Sequence, residues 1–356
     1  DELYQLRSIS NNEDVLAWAH FCAECFSYKP NPPSYEYFLR HFNNDPRRDA
    51  SLIRCLQYCG DDETVIVSSV RIFQRTISIG SGKTLEAGGI GEVCTSEDHR
   101  KRGLAKWLLQ DAIDIMVNGG KMKCSLLHAS AALQPVYEKS GGYHCVRSKW
   151  SVLTLNLGAL NNLIDDESLA VRRASFPDDT ERLQQIHKKY SEDRFAGCII
   201  RNTEYWNEYL KHEIGDSLYI LTTSTESIVA WISVRPRNGR IQIRDFGVDL
   251  DLCKSMSSTT AQILSRLLKA SLESGGILDN KEAATVDLHL PTCVFEEMQS
   301  QGDFCQESCD WVDWSTEIKA DDDIGWMYKT FGSKDDMIHA VNKMNIPHLI
   351  WPSDSF

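Results

Sequence analysis

The sequence has no apolar run approaching the roughly 18 to 20 residues needed to cross a bilayer, so no membrane-spanning helix is expected. Its first residues, Asp1-Glu2-Leu3-Tyr4-Gln5, carry no basic-then-apolar leader and no initiator methionine, which leaves the natural start undefined. Basic residues are outnumbered, 38 against 51 acids, for a net charge of −13. Phosphate backbones are held by clustered Lys and Arg, so a nucleic-acid partner is not expected. A metal-binding pattern is lacking as well. Twelve cysteines are scattered along the chain, and only Cys22-Ala23-Glu24-Cys25 forms C-x-x-C. No second pair and no H-x3–5-H follows at zinc spacing, so no metal is expected. The thiols read as reduced and mostly buried, in a reducing compartment, cytoplasmic or nuclear. Two familiar phosphate loops are missing too: neither G-x-x-x-x-G-K-[ST] nor G-x-G-x-x-G occurs.

What is present points to a globular α/β protein. The 356 residues suggest two domains at about 150 residues each. Periodicity predicts a strand over Leu3–Ile9, a helix over Glu13–Phe26 capped by Asn11 or Asn12, and a short helix over Tyr35–Phe42. Strands follow at Ser51–Tyr58, Thr64–Ile79 and Ala87–Thr95, with Gly60-Asp61-Asp62 as the first turn. An amphipathic helix runs from Gly103 to Val117, a strand over Cys124–Ala129, a helix over Leu133–Lys139, and a β stretch over Tyr143–Leu157. After a polar linker, Asn161–Ser168, the order repeats. Strands at Leu169–Ala174, Leu218–Leu221, Ile228–Val234, Arg240–Val248 and Ala284–Leu288 alternate with helices at Asp178–Tyr190, Asn202–Lys211, Thr260–Leu272 and Pro291–Ser300. Asn238-Gly239 is a hairpin turn. The tail from Gly325 has a strand and a helix of its own and is too apolar to float free.

The most informative stretch is Gly91-Glu92-Val93-Cys94-Thr95-Ser96-Glu97-Asp98-His99-Arg100-Lys101-Arg102-Gly103-Leu104-Ala105. A strand ends, a loop follows, and a helix opens at Gly103. Free backbone amides at a helix N-terminus, flanked by Arg and Lys, make a pyrophosphate cradle. Gly103 removes the Cβ that would block a phosphate.

Arg100-Lys101-Arg102-Gly103-Leu104-Ala105 resembles the [QR]-x-x-G-x-[GA] signature of the GNAT superfamily of acyl-CoA N-acyltransferases. Ser130 through Leu133-Gln134-Pro135-Val136-Tyr137-Glu138-Lys139-Ser140-Gly141-Gly142-Tyr143 is similar to a second block of that family. The resemblance implies a mixed α/β (α+β) fold, an acetyl-CoA co-substrate and an amine acceptor. It implies that Val93, Cys94 and Thr95 hold the pantetheine arm along a splayed strand. Arg100, Lys101, Arg102, Gly103, Leu104 and Ala105 would hold the pyrophosphate. Tyr137 would protonate the departing thiolate, since a phenol titrating near pH 10 stays protonated at neutral pH.

Arg201-Asn202-Thr203-Glu204-Tyr205-Trp206 resembles a block in the second domain of tandem, Eis-like GNAT proteins. The expected organisation is a catalytic GNAT domain over 1–160, a degenerate GNAT-like domain over 168–324, and a docked tail over 325–356. The second domain lacks a cradle glycine between Val248 and Ser257, so it is not expected to bind acetyl-CoA. The resemblance also implies that the chain's terminal carboxylate, on Phe356, acts as base. Glu92 is the rival base, with Ile90 and Cys94 on its face by alternation. His128, at a strand end, is a weaker candidate. The acids Glu204, Glu208 and Asp245 favour a cationic acceptor, a small amine or a protein lysine. A non-catalytic acetyl-CoA-binding or scaffold protein is the alternative.

Overall fold

The computed structural model describes residues 3–60, 64–164, 168–278, 284–302, 304–332 and 337–354. Most of the expected turn Gly60-Asp61-Asp62, the middle of the expected linker and Phe356 lie outside the described residues. Among the described residues, fifteen strands occur in chain order: β1 Tyr4–Ser8, β2 Ile53–Cys59, β3 Thr64–Ile79, β4 Thr84–Thr95, β5 Cys124–His128, β6 His144–Cys145, β7 Trp150–Asn156 and β8 Leu169–Arg173, then β9 Ala196–Ile199, β10 Leu218–Thr223, β11 Ile228–Arg237, β12 Arg240–Val248, β13 Thr285–Pro291, β14 Lys319–Ala320 and β15 Trp326–Thr330. The first four helices are α1 Asn12–Cys25, α2 Tyr35–Asn43, α3 Leu104–Asn118 and α4 Gln134–Gly141. Asn11 caps α1 by accepting from the Asp14 amide.

The strands form two mixed sheets, as the α/β reading expects. The first has the order β1-β2-β3-β4-β5-β15-β6, with β9 paired to β3. The second has the order β14-β7-β13-β12-β11-β10-β8. Each sheet contains one parallel pair, β4 with β5 and β12 with β13. A repeated element order thus produces two sheets of related design.

Sheet membership cuts across the expected boundaries at 160 and 325. The β stretch after Gly142 is two strands, and the longer one, β7, lies in the second sheet between β13 and β14. Its residues Trp150 to Leu153 are buried, as a central strand requires. Conversely β15, from the tail, lies in the first sheet between β5 and β6. The two halves are therefore interlaced. One apolar core spans both sheets, with Leu126, Leu153, Leu264 and Trp351 all buried in it. A second core lies under α3 on one face of the first sheet, and a third under α1 and α2 on the other.

The tail is docked by polar anchors as well. His348 Nδ1 lies 2.6 Å from Ser148 Oγ, and its Nε2 lies 2.7 Å from Tyr328 Oη. Burial pushes the His348 imidazole down to about 3. The unfolded imidazole titrates near 6.5. The folded value is depressed, so the stability held by neutral His348 is complete above about pH 6.5 and is lost as pH falls toward 3. We expect the unfolding free energy of the native chain to fall more steeply between pH 7 and 4 than that of His348→Gln. The excess slope should approach about 1.4 kcal/mol per pH unit. Parallel pH profiles by chemical denaturation would show that His348 has no such role.

Candidate active site

β4 and β5 run side by side only from Ala87↔Cys124 to Ile90↔Leu127. β5 ends one residue later at His128, while β4 continues to Thr95. A bulge explains the parting. Ser69 pairs with Cys94 and Arg71 with Gly91, so Glu92 and Val93 both stand opposite Val70. Glu92 takes φ +53°, a left-handed conformation that costs a non-glycine residue on the order of 1 kcal/mol. Ser69 Oγ donates to the Glu92 carbonyl at 3.2 Å, and Ser68 Oγ donates to the Cys94 carbonyl at 3.0 Å. These hydroxyls keep β4 on β3 as it leaves β5. Val93, Cys94 and Thr95 consequently border an open wedge.

The bulge corrects one expectation. Simple alternation puts Ile90 and Cys94 on one face, but Ile90 is buried under α3 and Cys94 under α1. One inserted residue flips the strand. Cys94 Sγ sits 3.9 Å from Cys22 Sγ, so only its backbone faces the wedge.

The loop after β4 closes one turn over Glu97–His99 and reaches α3 through two left-handed residues, Lys101 at φ +61° and Gly103 at φ +80°. The Trp107 amide donates to the Gly103 carbonyl at 3.0 Å. Among the described residues, the amides of residues 101 to 106 find no acceptor in the protein. They form a nest of donors at the positive end of a fifteen-residue helix. A Cβ on Gly103 would meet no heavy atom within 4 Å, so that space is open. The two arginines brace the loop. Arg100 Nε donates to the Thr95 carbonyl at 3.2 Å, and Arg102 donates to Tyr4 Oη at 2.9 Å and to the Asp98 carbonyl at 3.1 Å. Lys101 is exposed beside them. Leu104 anchors the helix start in the core, and Ala105 is half-buried above it.

Tyr137 projects from α4, half-buried, with its ring edge-on to Tyr143 at 6.2 Å between centroids. Burial raises its phenol, so it stays protonated at neutral pH. No hydrogen bond holds its hydroxyl among the described residues, which leaves a proton donor unspent. Tyr143 is core: it is buried, and its hydroxyl lies 2.7 Å from Ser125 Oγ.

Glu92 is enclosed rather than open to the wedge. Its Oε1 lies 3.1 Å from His41 Nδ1, and its Oε2 lies 3.6 Å from Arg71 Nη1 with no hydrogen-bond partner. His41 Nε2 lies 2.8 Å from Tyr209 Oη. Arg71 and Arg75 converge on the buried carboxylate of Asp45 at 3.0 and 3.1 Å. None of His41, Arg71, Asp45 and Tyr209 was predicted. They come from three separate segments, the end of α2 with the residues just after it, β3, and the helix over Tyr205–Leu210, and no local spacing announces their meeting.

Among the acids expected to attract a cation, Asp245 does not face a ligand. It is fully buried, 2.7 Å from Arg201. Arg201 also holds Asp354 at 2.7 Å. Glu204 is exposed and Glu208 lies at the surface, 4.0 Å from Arg48. His128 instead pairs with Asp323 at 2.9 Å, at the edge of a cavity of about 430 Å³ between the two sheets. Among the described residues, no group of three or more His, Cys, Asp or Glu side chains is placed to hold a metal ion.

The second sheet repeats the bulge and the parting. β12 pairs with β13 only at Ile241 and Gln242, and its register against β11 shifts between Ser233 and Val234. Here the donors are already occupied. Asp249 accepts from the Asp251 and Leu252 amides of the following short helix, and Thr259 caps the long helix Thr260–Ser274. Ser353 of the tail donates to Asp245 on the parted segment at 2.7 Å. The positions that are vacant in the first unit are filled by the chain itself in the second.

Residues 5–145 match the family model described as an acetyltransferase (GNAT) domain. No curated protein matches the sequence. Many solved structures share the fold, and three illustrate it. A probable N-acyltransferase of unknown function from Enterococcus faecalis is 13% identical, with a TM-score of 0.61 over 92% of this chain and 72% of that one. Eis1 from Mycobacterium abscessus is 13% identical, with a TM-score of 0.54 over 92% and 74%. Saccharomyces cerevisiae N-myristoyltransferase with bound myristoyl-CoA is 12% identical, with a TM-score of 0.57 over 92% and 83%.

Proposed function

We propose, from the premise that residues 5–145 form an acetyltransferase (GNAT) domain within a tandem arrangement, that the protein moves an acetyl group from acetyl-CoA directly to a primary amine. One observation carries this reading: unused amides at residues 101 to 106 stand at the mouth of a parted strand pair, with a free phenol nearby on α4. The nest takes the pyrophosphate, and the wedge takes the pantetheine arm. A backbone amide near Val93 or Cys94 polarises the thioester carbonyl. The amine attacks, a tetrahedral intermediate forms, and the C–S bond breaks. The thiolate takes its proton from Tyr137 Oη. The amine's proton passes to a carboxylate, either the chain terminus at Phe356 or, relayed through water, Glu92, which His41 and Arg71 enclose. No cysteine is needed as nucleophile. The second unit shapes the acceptor side and supports the first.

The test mixes protein, acetyl-CoA and a panel of primary amines and follows free thiol. Palmitoyl-CoA and myristoyl-CoA serve as rivals for the donor. We expect amine-dependent thiol release with acetyl-CoA. Release only with long-chain donors would replace acetyl by a longer acyl group, and absence of calorimetric binding to any of them would end the proposal. Gly103→Ala should weaken acetyl-CoA binding about tenfold or more, because the new methyl group enters the nest. The fold should lose only about 1–2 kcal/mol, from the left-handed backbone.

A further inference from the structure

The cavity beside His128 is lined by charges of both signs. Asp321, Asp322 and Asp323 line it together with Arg235, Arg237 and Arg240. Asp321 and Asp322 are balanced, by Arg240 at 2.6 Å and Arg147 at 3.5 Å, and Asp323 lies 2.9 Å from the His128 ring. Arg235 and Arg237 are not balanced. Arg235 Nε and Arg237 Nη1 both donate to the single amide oxygen of Gln242, at 3.0 and 3.2 Å. Among the described residues, neither has a carboxylate within 4.0 Å. Two guanidinium groups drawn to one neutral oxygen repel each other, and an anion between them would relieve that repulsion.

Arg235 is half-buried, and its burial, with Arg244 and Arg237 nearby, pulls it down to about 10. Burial is the main cause; the neighbouring guanidiniums add to it and Glu213 opposes them. Tyr37 of α2, within electrostatic reach of Arg235, stacks on His41 at 5.6 Å, and His41 holds Glu92. The cavity's other edge is His128, the residue where β5 parts from β4. In a chain of net charge −13, two arginines that share a neutral partner instead of a carboxylate leave room for an anionic ligand group.

We infer that the acceptor amine also carries a carboxylate, which docks on Arg235 and Arg237 while its ammonium end lies toward Asp323 and the wedge. The acceptor is then an amino-acid-like zwitterion rather than a polyamine. The planar fork of arginine matches a carboxylate bidentately. A dianionic phosphate would suffer more from the three aspartates that also line the cavity. This assignment deepens the proposed transfer to an amine and rests on it for the direction of binding.

The experiment compares amines with and without the carboxylate: L-lysine against 1,5-diaminopentane, L-ornithine against 1,4-diaminobutane, and L-phenylalanine against 2-phenylethylamine. Each is tested by turnover with acetyl-CoA and, separately, by calorimetry on CoA-loaded protein. In at least one pair we expect the amino acid to have tenfold or more lower KM and Kd. Arg235→Gln should collapse that ratio toward one. Arg237→Gln, at an exposed position, should reduce it with no risk to the fold. No preference in any pair, or a ratio unmoved by both variants, overturns the inference. Turnover without preference leaves the transferase reading standing. A preference in calorimetry without turnover keeps the carboxylate site and defeats the transferase reading.

Discussion

Arg201→Met is expected to destabilise the protein by about 3–5 kcal/mol, the cost of leaving buried charge without its partner. The guanidinium is fully buried and holds two carboxylates, Asp245 at 2.7 Å and Asp354 at 3.1 and 2.7 Å. Its Nη2 also donates to Ser353 Oγ at 3.0 Å. The Asp354 carboxyl is already raised by burial and by Asp245, against the lowering pull of Arg201. Removing the cation forces at least one proton onto the pair. The loss pins three things at once: the tail, the parted segment of β12, and the loop after β9. At about 2–4 °C per kcal/mol for a chain of this class, Tm should fall by roughly 10 °C. The triple variant Arg201→Met, Asp245→Asn, Asp354→Asn should recover part of that loss, because it removes the orphaned charges. Calorimetric melting measures both. A Tm within 2 °C of the native value, for an estimate of about 0.5–1 kcal/mol, would mean the cluster is not structural.

Tyr137→Phe is expected to lower kcat by about 100-fold or more, the usual weight of a positioned general acid. The ring keeps its edge-on contact with Tyr143, so the packing of α4 is retained. The hydroxyl has no bond to break, and the nest at residues 101 to 106 is untouched. Acetyl-CoA affinity should therefore stay within about twofold, which separates loss of a proton donor from loss of binding. Steady-state kinetics with calorimetry on the same preparation decides it. Equal kcat would remove Tyr137 from the mechanism, and a large loss of affinity with equal kcat would make it a binding residue.

Different parts of this molecule were legible to different degrees. The bounds of β3 follow from the β-rich run Thr64–Ile79, and α1 begins at the expected asparagine cap. The poverty of the second cradle was readable from the missing glycine between Val248 and Ser257, and the structure adds the reason, an Asp249 carboxylate occupying the amides. The interlacing was not readable. β7 looks like a final strand of the first half, and nothing in Trp-Ser-Val-Leu-Thr-Leu-Asn states which sheet it joins. Strand pairing is chosen by partners far away in sequence, here Thr285–Pro291 and Lys319–Ala320. Glu92 was misplaced for a smaller reason. Period-two alternation holds only until a bulge inserts a residue, and the bulge depends on how β3 sits against β4.

The sequence by itself determined the phosphate cradle. A left-handed glycine, unspent amides and a helix start are properties of consecutive residues, and Arg100 to Ala105 contain all of them. Tertiary structure alone decided what surrounds it. It seated Glu92 between His41 and Arg71, tied Asp245 into the tail, and, among the described residues, left Arg235 and Arg237 with no carboxylate within 4.0 Å in a cavity that three aspartates also line. Those relations join residues distant in sequence, Glu92 with His41 at 51 positions and Asp245 with Ser353 at 108. A charge becomes a base, a brace or a binding site only through its neighbours, and chain folding brings the neighbours together.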